Sequence, residues 1–294
     1  MGAAHLLIFG LGYCSRAIAR LVQQNGFRVS ITSRTPRPEP GLEIIGFNAA
    51  QPAIAAATHI ITTAAPDDGG DPVLARYKAS IATAPGLFYA GYLSTTGIYG
   101  NRDGGWVDED SPLAPTSPRG QRRLAAEQSW SAIAGSARGE GLPGLTLDIF
   151  RLAGIYGPGR SMFDDLRAGS ARCVVKPGHL FGRIHVQDIA LGVLKAMQRR
   201  AAPGVNIFNF TDDEPAASAQ VVAEAARLLG VAPPAPVAYA EAIQTMSPMA
   251  RSFWAENRRV ANAKTKAALG LSWRYPTYRE GLAAILAEER RNRL

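Results

Sequence analysis

Short apolar runs and longer stretches of helical spacing alternate along this chain. Residues 5–9 form the first run, a glycine turn follows at 10–15, and residues 16–24 place apolar side chains at 17, 18, 21 and 22. Such a run predicts a strand, and such a spacing predicts a helix. The alternation continues through strands predicted at 27–32, 59–66, 87–94 and 145–152 and helices predicted at 71–84, 119–138 and 218–229. Repeated strand–helix units predict an α/β fold with a parallel sheet.

The glycine turn between the first strand and the first helix predicts a dinucleotide site. It reads G-x-G-x-x-S, with Gly10, Gly12 and Ser15 at the fixed positions and Tyr13 and Cys14 between them. A turn of this kind lets the backbone approach a pyrophosphate and directs a helix N-terminus at it. Ser15 replaces the usual Gly or Ala and is still small enough for helix–strand packing. A tight loop without a ligand is the alternative.

The end of the second strand indicates which dinucleotide is bound. An NAD site usually has an Asp or Glu about 20 residues past the glycines to bind the ribose 2′-hydroxyl. This chain has Ser33 and Arg34 there, and the next acid, Glu39, lies beyond two prolines. A guanidinium and a hydroxyl suit a 2′-phosphate. We therefore expect NADP, with NAD as the alternative.

In a parallel sheet of this type, ligands bind at the carboxyl ends of the strands. The glycine turn, Arg34 and the ends of two further predicted strands fall on that edge. These two strand ends supply the candidates Ala64, Ala65, Pro66, Ser94, Thr95 and Thr96.

Composition limits the classes of protein to be considered. A chain of 294 residues with 47% apolar and 19% charged residues can form one large α/β domain or a domain with a lobe. No apolar run approaches the ~18 residues of a membrane span, and no secretion signal is visible, which predicts a cytoplasmic protein. Two cysteines and four scattered histidines give no disulfide framework and no metal-ligand spacing.

The net charge of +8 lies entirely in the second half. Residues 1–150 hold 12 basic and 12 acidic residues, whereas residues 151–294 hold 20 basic and 12 acidic. A basic half facing a cofactor cleft would attract a small anionic substrate. Nucleic acid is not expected as a partner, because the basic residues form no long run and no aromatic-basic motif.

Five segments, in order along almost the whole chain, resemble motifs of the extended short-chain dehydrogenases/reductases, the NAD-dependent epimerase/dehydratase family. They are Ser94-Thr95-Thr96-Gly97-Ile98-Tyr99-Gly100, Arg151 with Tyr156-Gly157-Pro158-Gly159, Ile184-His185-Val186 with Asp188, Asn209 with Thr211-Asp212-Asp213-Glu214-Pro215, and Leu269-Gly270 with Trp273 and Pro276. The resemblance implies a Rossmann-type doubly wound parallel sheet with a smaller C-terminal substrate lobe. We expect residues 1–155, completed by 184–210, to bind the dinucleotide, and residues 156–294 to form mainly the lobe.

The catalytic helix departs from the family's Y-x-x-x-K pattern. Arg119 stands where the family has the proton-shuttling Tyr, and Arg123 stands where it has Lys. Arg cannot shuttle protons near neutral pH, because its pKa exceeds ~12. Arg123 could still hold the nicotinamide ribose, and Thr95 occupies the position of the family's active-site Ser or Thr. The pattern is similar to the atypical, YeeZ-like subgroup that lacks the Tyr.

The candidates for a substitute acid or base are Tyr99, Tyr156, Asp108 and Glu109. The resemblance implies a mainly structural role for Tyr99, the tyrosine of the family's Y-G pair. The catalytic candidates are Thr95, Tyr99 and Arg123. Arg119 and Arg123 share one helix face and could clamp an anion, or they could form an exposed face with Glu127 paired to Arg123. The substrate-binding candidates are Thr96, Arg119, Tyr156, Arg160 and Arg258.

Three hypotheses on function follow from these residues. The first is an NAD(P)-dependent oxidoreductase or epimerase acting on an anionic substrate such as a nucleotide sugar. The second is a non-catalytic NADP(H) sensor, which needs no substitute base. The third is a scaffold that has lost the cofactor, which the intact glycine turn disfavours. The resemblance also allows a homodimer through the helices at 72–84 and 119–134, and it suggests Asp188 as the cap of a helix starting at Ile189.

Overall fold

The computed structural model describes residues 4–135, 141–199 and 201–292, which form alternating strands and helices. The strands are β1 His5–Phe9, β2 Arg28–Ser33, β3 Glu43–Gly46, β4 His59–Thr62, β5 Tyr89–Thr95, β6 Trp106–Val107, β7 Thr146–Leu152, β8 Gly154–Tyr156, β9 Cys173–Val175, β10 Arg183–His185, β11 Gly204–Phe210, β12 Pro236–Ala238 and β13 Arg259–Val260. The α-helices are α1 Tyr13–Gln24, α2 Gln51–Ala56, α3 Pro72–Thr83, α4 Pro118–Gly135, α5 Met162–Arg167, α6 Val186–Gln198, α7 Ser218–Leu229, α8 Tyr239–Ala242, α9 Pro248–Ala255, α10 Ala263–Leu269 and α11 Tyr278–Arg291.

The main sheet has seven parallel strands in the order β11-β7-β5-β4-β1-β2-β3. From β1 the chain first adds β2 and β3 on one side and then crosses to add β4, β5, β7 and β11 on the other. The reversal between β1 and β4 is the topological switch point, where ligands of such sheets bind. The predicted doubly wound α/β fold is confirmed.

Helices cover both faces of this sheet. On one face α1 and α6 bury side chains such as Ile18, Val22 and Val193. On the other face α3 and α4 bury Tyr77 and Trp130, of which Trp130 is fully buried. Because the central strand β1 is covered on both sides, it is buried along its whole length, which accounts for its continuous apolar run.

The second half of the chain builds a smaller lobe that contains the short parallel strand pairs β8–β10 and β9–β12, while β13 pairs with β6 from the first half. Helices α5, α7 and α11 pack on one another around a separate apolar cluster. Strand β11 returns to the main sheet beside β7. We propose the domain division that the sequence suggests, with residues 1–155 completed by 184–210 as the dinucleotide-binding part and 156–294 as mainly the lobe.

Several boundaries differ from the predicted ones. Helix α1 starts at Tyr13, three residues earlier than predicted, and the strand predicted to run to residue 66 ends at Thr62. The helix predicted at 119–138 is observed as Pro118–Gly135, and positions 136–138 lie outside the described residues. None of the helices in the described ranges has the length and apolar character needed to cross a membrane.

The predicted cap at Asp188 is wrong. Helix α6 begins at Val186, and the Nδ1 atom of His185 accepts the capping hydrogen bond from the backbone of Gln187 at 3.2 Å. Asp188 lies within the first turn, where its carboxylate accepts backbone N–H groups of Arg274 at 2.7 Å and Tyr275 at 3.0 Å. Asp188 therefore fastens the segment before α11 to α6.

Candidate functional site

The glycine turn packs tightly between the ends of three strands. Gly10 has φ +98°, and a Cβ atom there would lie 2.8 Å from the Thr63 Oγ1 atom and 3.4 Å from the backbone N of Ala64. The Gly10 N–H also donates to the Thr32 side-chain oxygen at 3.2 Å. Position 10 therefore requires glycine for both its conformation and its surroundings. Backbone atoms of the turn, rather than a side chain, therefore border the crevice at the topological switch point, between the glycine turn and the loop after β4.

Ser15 holds the turn against the start of α1. Its hydroxyl accepts the N–H of Gly12 at 2.6 Å and donates to the carbonyl of Gly12 at 3.0 Å, and the side chain is fully buried. We expected Ser15 only to be small; the structure adds this hydrogen-bonding role. The following N–H groups of the first helical turn have no intrahelical partner, and the helix dipole favours an anion there. Burial raises the pKa of Cys14 to about 11, so this thiol stays neutral.

The end of β2 presents an exposed guanidinium beside a hydroxyl. Arg34 is exposed, while Ser33 is half-buried and its oxygen accepts the N–H of Thr35 at 3.2 Å. Glu39 is turned back to α1, where it pairs with Arg16 at 2.8 Å. No carboxylate of the described residues lies within salt-bridge distance of Arg34. Glu39 is therefore engaged elsewhere, and the basic group faces solvent.

The loop after β4 lies opposite the glycine turn. Thr63 directs its hydroxyl at the carbonyl oxygens of Phe9 and Gly10, each at 3.1 Å, and so joins this loop to the turn. Ala64 is half-buried and Ala65 is exposed, followed by Pro66. The small residues leave the crevice open between the two loops. Sequence reasoning missed Thr63, although a Thr at the end of the strand run was the available signal.

Arg123 is buried under the ends of β4 and β5. Its Nη1 donates to the carbonyl of Leu93 at 2.8 Å and the hydroxyl of Tyr92 at 3.1 Å, with the Ala64 carbonyl at 3.4 Å. It does not pair with Glu127, which forms a buried ion pair with Arg151 at 3.0 Å. The alternative of an Arg123–Glu127 pair on an exposed face is therefore wrong. Arg123 fastens the two strand ends that border the crevice.

The hydroxyls after β5 have different surroundings. Thr95 is half-buried and its oxygen accepts the N–H of Gly97 at 3.1 Å, which starts the short 3-10 helix Thr96–Tyr99. Thr96 is buried and its hydroxyl lies 3.4 Å from the carbonyl oxygen of Leu152. Ser94 is buried, and its hydroxyl has no partner among the described residues. Buried hydroxyls normally have a hydrogen-bond partner, so the Ser94 hydroxyl at the edge of the crevice is available to form a hydrogen bond with a bound ligand.

The tyrosines considered as substitute acids both lie in packed surroundings. Tyr99 is fully buried, donates to the Asn209 side chain at 2.7 Å and accepts from Arg151 at 2.9 Å. Burial raises the pKa of its hydroxyl. Tyr156 points its hydroxyl at the Thr277 carbonyl at 3.4 Å, against Gly281 in α11, and burial raises its pKa as well. These contacts favour structural roles for both residues.

The two acids considered as substitutes connect the segment after β6 to α10. Asp108 accepts the hydroxyl of Ser111 at 2.9 Å, which is the main cause of its lowered pKa. Glu109 accepts the hydroxyl of Thr265 at 2.7 Å and the backbone N–H of Asn209 at 3.3 Å. These carboxylates are therefore engaged in holding the loop.

Arginines cluster on the lobe side of the crevice. Arg119 is exposed, but partial desolvation lowers the pKa of its guanidinium, and the neighbouring charges of Arg123 and Arg160 lower it further. The Arg160 guanidinium lies 5.8 Å from the ring centre of Tyr13, in the glycine turn. Arg258 donates to the Gly100 carbonyl at 3.0 Å and pairs with Glu256 at 2.6 Å. Among the described residues, no carboxylate pairs with Arg119 or Arg160, so these two charges are available to an anion.

An exposed aromatic residue beside this cluster was not predicted. Phe253 in α9 is 53% exposed, and the Arg119 guanidinium lies 5.7 Å from its ring centre. A single aromatic residue in a lobe helix carries no pattern that would have revealed this contact. Phe253 supports the side chain of Arg119 without neutralising its charge.

Comparisons with known proteins agree with this geometry. A conserved protein of Silicibacter pomeroyi DSS, described as functionally unknown, is 43% identical, with a TM-score of 0.87 over 98% of this chain and 99% of its own. MoeE5, solved with UDP-glucuronic acid and NAD, has a TM-score of 0.75 at 20% identity over 98% of this chain and 100% of its own. The human epimerase family protein SDR39U1, solved with NADPH, has a TM-score of 0.73 at 18% identity, over 96% and 98%. This chain has the fold of the extended short-chain dehydrogenases/reductases.

Curated relatives match part of the chain, and no family model matches it. Protein YeeZ of Escherichia coli K12 is 30% identical over 143 residues, which are 49% of this chain and 47% of YeeZ. A "3-diazoavenalumate denitrifying reductase" of a Streptomyces species is 28% identical over 186 residues, 60% of this chain and 58% of that protein. The chain thus spans about half the length of the curated relatives it matches. The YeeZ match agrees with the atypical subgroup, and the resemblance inferred from the motifs is confirmed.

Proposed function

We propose that this chain is an NADP(H)-dependent oxidoreductase that acts on a small anionic substrate, such as a nucleotide sugar. The observation that carries the proposal is the combination of a turn with no room for a side chain at Gly10 and unpaired arginines at the same crevice. Structures of this fold with NAD in MoeE5 and NADPH in the human protein support a nicotinamide dinucleotide. The choice between NADP and NAD is our own proposal from Arg34.

The residues present fit such a cofactor. The backbone of Gly10 and Gly12 and the start of α1 would hold the pyrophosphate, and Ser33 with Arg34 would bind the 2′-phosphate. The remaining proposed contacts follow the edge of the crevice: Tyr13, Cys14, Ser15, Ala64, Ala65, Pro66, Ser94 and Arg123. When bound, NADP(H) supplies or accepts a hydride.

Arg119 would bind an anionic group and stabilise negative charge that develops on the substrate. A guanidinium keeps its charge, so it donates hydrogen bonds without transferring a proton. The proton of a reduction would then come from solvent, with Thr95 positioning the reacting group. The Streptomyces relative, named as a denitrifying reductase, supports a reductase among the candidate activities. Arg160 and Arg258 would bind the remote anionic part of the substrate.

A titration of two matched variants tests the cofactor assignment. Arg34→Ala removes the proposed 2′-phosphate partner, whereas Arg37→Ala removes an exposed arginine from the same loop. We expect Arg34→Ala to weaken NADPH binding about tenfold to a hundredfold and to leave NADH binding unchanged, because charge-assisted hydrogen bonds to the 2′-phosphate are lost. Arg37→Ala should change NADPH binding little. Equal effects of the two variants, or equal losses for NADPH and NADH, would refute the role of Arg34.

A non-catalytic NADP(H) sensor is the second candidate. The observation that favours it is the buried position of Arg123, whose Nη1 is occupied by strand-end acceptors, together with Arg119 in place of the Tyr. A panel of anionic carbonyl substrates with NADPH, monitored by nicotinamide absorbance, separates the two candidates. Turnover that Arg119→Ala abolishes supports the oxidoreductase. NADPH binding without turnover across the panel supports the sensor.

A further inference from the structure

The small lobe contains a cavity of about 430 Å³ between α5, α7 and α11. Its apolar walls include Met162 in α5, Val221 in α7, and Tyr278 and Leu282 in α11. This volume lies within the range of pockets that hold small organic molecules. These four wall residues lie outside the glycine turn and the strand ends that border the dinucleotide crevice. Two other lining residues, Tyr156 and Arg160, are substrate-binding candidates of that crevice, so the cavity adjoins it.

Arg183 brings a half-buried positive charge to this cavity. Its Nη1 donates to the carbonyl oxygens of Phe181 at 2.9 Å and Ala216 at 3.1 Å, and its side chain lines the cavity. A guanidinium has five N–H donors, so these two bonds leave donors over. Among the described residues, no carboxylate lies within salt-bridge distance of Arg183. This partly desolvated cation therefore has no ion-pair partner among the described residues.

The nearby acids do not neutralise this charge by contact. The Asp212 carboxylate accepts the backbone N–H of Arg183 at 3.4 Å and does not pair with its guanidinium, and burial raises the pKa of Asp212 well above its usual value. At the rim, Asp164 already accepts the backbone N–H of Ser161 at 2.7 Å and the hydroxyl of the same residue at 2.9 Å. Asp165 also lines the rim, and burial raises its pKa. The cavity therefore holds Arg183 without a contacting carboxylate, while the edge is mixed, with Arg160 exposed near the two acids.

We propose that this cavity is a second binding site, which takes an organic monocarboxylate with a compact apolar body. The carboxylate would accept the unused donors of Arg183, and the apolar body would pack on Val221, Leu282 and Tyr278. The planar guanidinium matches the geometry of a carboxylate. Arg160 is offset by Asp164 and Asp165, which leaves Arg183 as the uncompensated cation, and this favours one negative charge over the two of a phosphate. The proposal does not depend on the function proposed for the dinucleotide crevice.

Ligand-observed fluorine NMR with 4-fluorobenzoate tests the site, with 4-fluorobenzyl alcohol as the uncharged probe of similar shape. We expect saturable binding of the benzoate. The alcohol should bind at least about tenfold more weakly, because it cannot form the charge-assisted hydrogen bonds. Arg183→Gln should reduce benzoate binding to the level of the alcohol. Since Arg183 also holds two carbonyl groups, a second variant is needed.

Val221→Phe fills the cavity from its apolar wall and keeps the Arg183 side chain. The control Val231→Phe makes the same substitution at a half-exposed position after α7. Val221→Phe should abolish benzoate binding and leave NADPH affinity unchanged, while Val231→Phe should change neither. Benzoate binding that survives Val221→Phe would overturn the proposal, because the probe would then lie elsewhere. Equal binding of the two probes, or no saturable benzoate binding, would overturn it as well.

Discussion

Gly10→Ala should both destabilise the protein and remove dinucleotide binding. At φ +98°, an L-residue costs about 1–3 kcal/mol in backbone strain. The added Cβ would lie 2.8 Å from the Thr63 Oγ1 atom, which the carbonyl oxygens of Phe9 and Gly10 hold in place. Such overpacking costs a further 1–3 kcal/mol, roughly. The free energy of unfolding should therefore fall by about 2–6 kcal/mol.

Gly41→Ala is the matched control for this variant. Gly41 also has a positive φ, +76°, but a Cβ there would meet no atom within 4 Å. It should therefore cost only the backbone strain, roughly 1–2 kcal/mol, and leave NADPH binding unchanged. Thermal unfolding followed by circular dichroism gives the stabilities, with roughly 2–4 °C expected per kcal/mol. A Gly10→Ala protein that unfolds like Gly41→Ala, or that still binds NADPH with wild-type affinity, would refute the reasoning.

Three further predictions concern buried side chains of the dinucleotide-binding part. Ser15→Ala removes the hydrogen bonds to Gly12 and should lower stability by about 1 kcal/mol and weaken NADPH binding several-fold, as measured by chemical denaturation and titration. Glu127→Gln leaves the buried Arg151 without its ion-pair partner and should lower the free energy of unfolding in urea by about 3–5 kcal/mol; an unchanged urea midpoint would contradict this. Burial lowers the pKa of His59 to about 4, below its unfolded value of 6.5. As the pH falls from about 6.5 to 4, the unfolded state therefore binds a proton that the folded state does not, and the free energy of unfolding falls. His59→Gln should reduce this decline relative to wild type in urea titrations at each pH, and parallel curves for the two proteins would contradict it.

The fold could be predicted from the sequence because its signals are local. The apolar run of β1, the glycine turn and the spacing along α1 all lie within residues 5–24. The family motifs, which occur in order along almost the whole chain, then predicted how these strand–helix units are arranged in the sheet. Boundaries were less accurate: α1 begins at Tyr13 because the turn closes through Ser15, a hydrogen bond that apolar spacing does not reveal.

The wrong expectations share a physical cause. Glu127 lies one helical turn from Arg123, which suggests a pair, but Glu127 instead contacts Arg151, which is 24 positions away on β7. Asp188 precedes an apolar stretch, which suggests a cap, but its partners lie 86 and 87 positions further along. Local spacing cannot reveal contacts that depend on how distant strands and helices pack. The same limit explains why the surroundings of Tyr99, Phe253 and Arg183 emerged only from the structure.

The most direct test of the account is an equilibrium titration of the wild-type protein with NADPH, followed by nicotinamide fluorescence and repeated with NADH. The account predicts saturable binding at one site per chain, with NADPH bound more tightly than NADH because Arg34 can pair with the 2′-phosphate. Preferred binding of NADH would contradict the role of Arg34 and keep the dinucleotide site. Binding of neither nucleotide would contradict the central claim and leave a scaffold that has lost its cofactor.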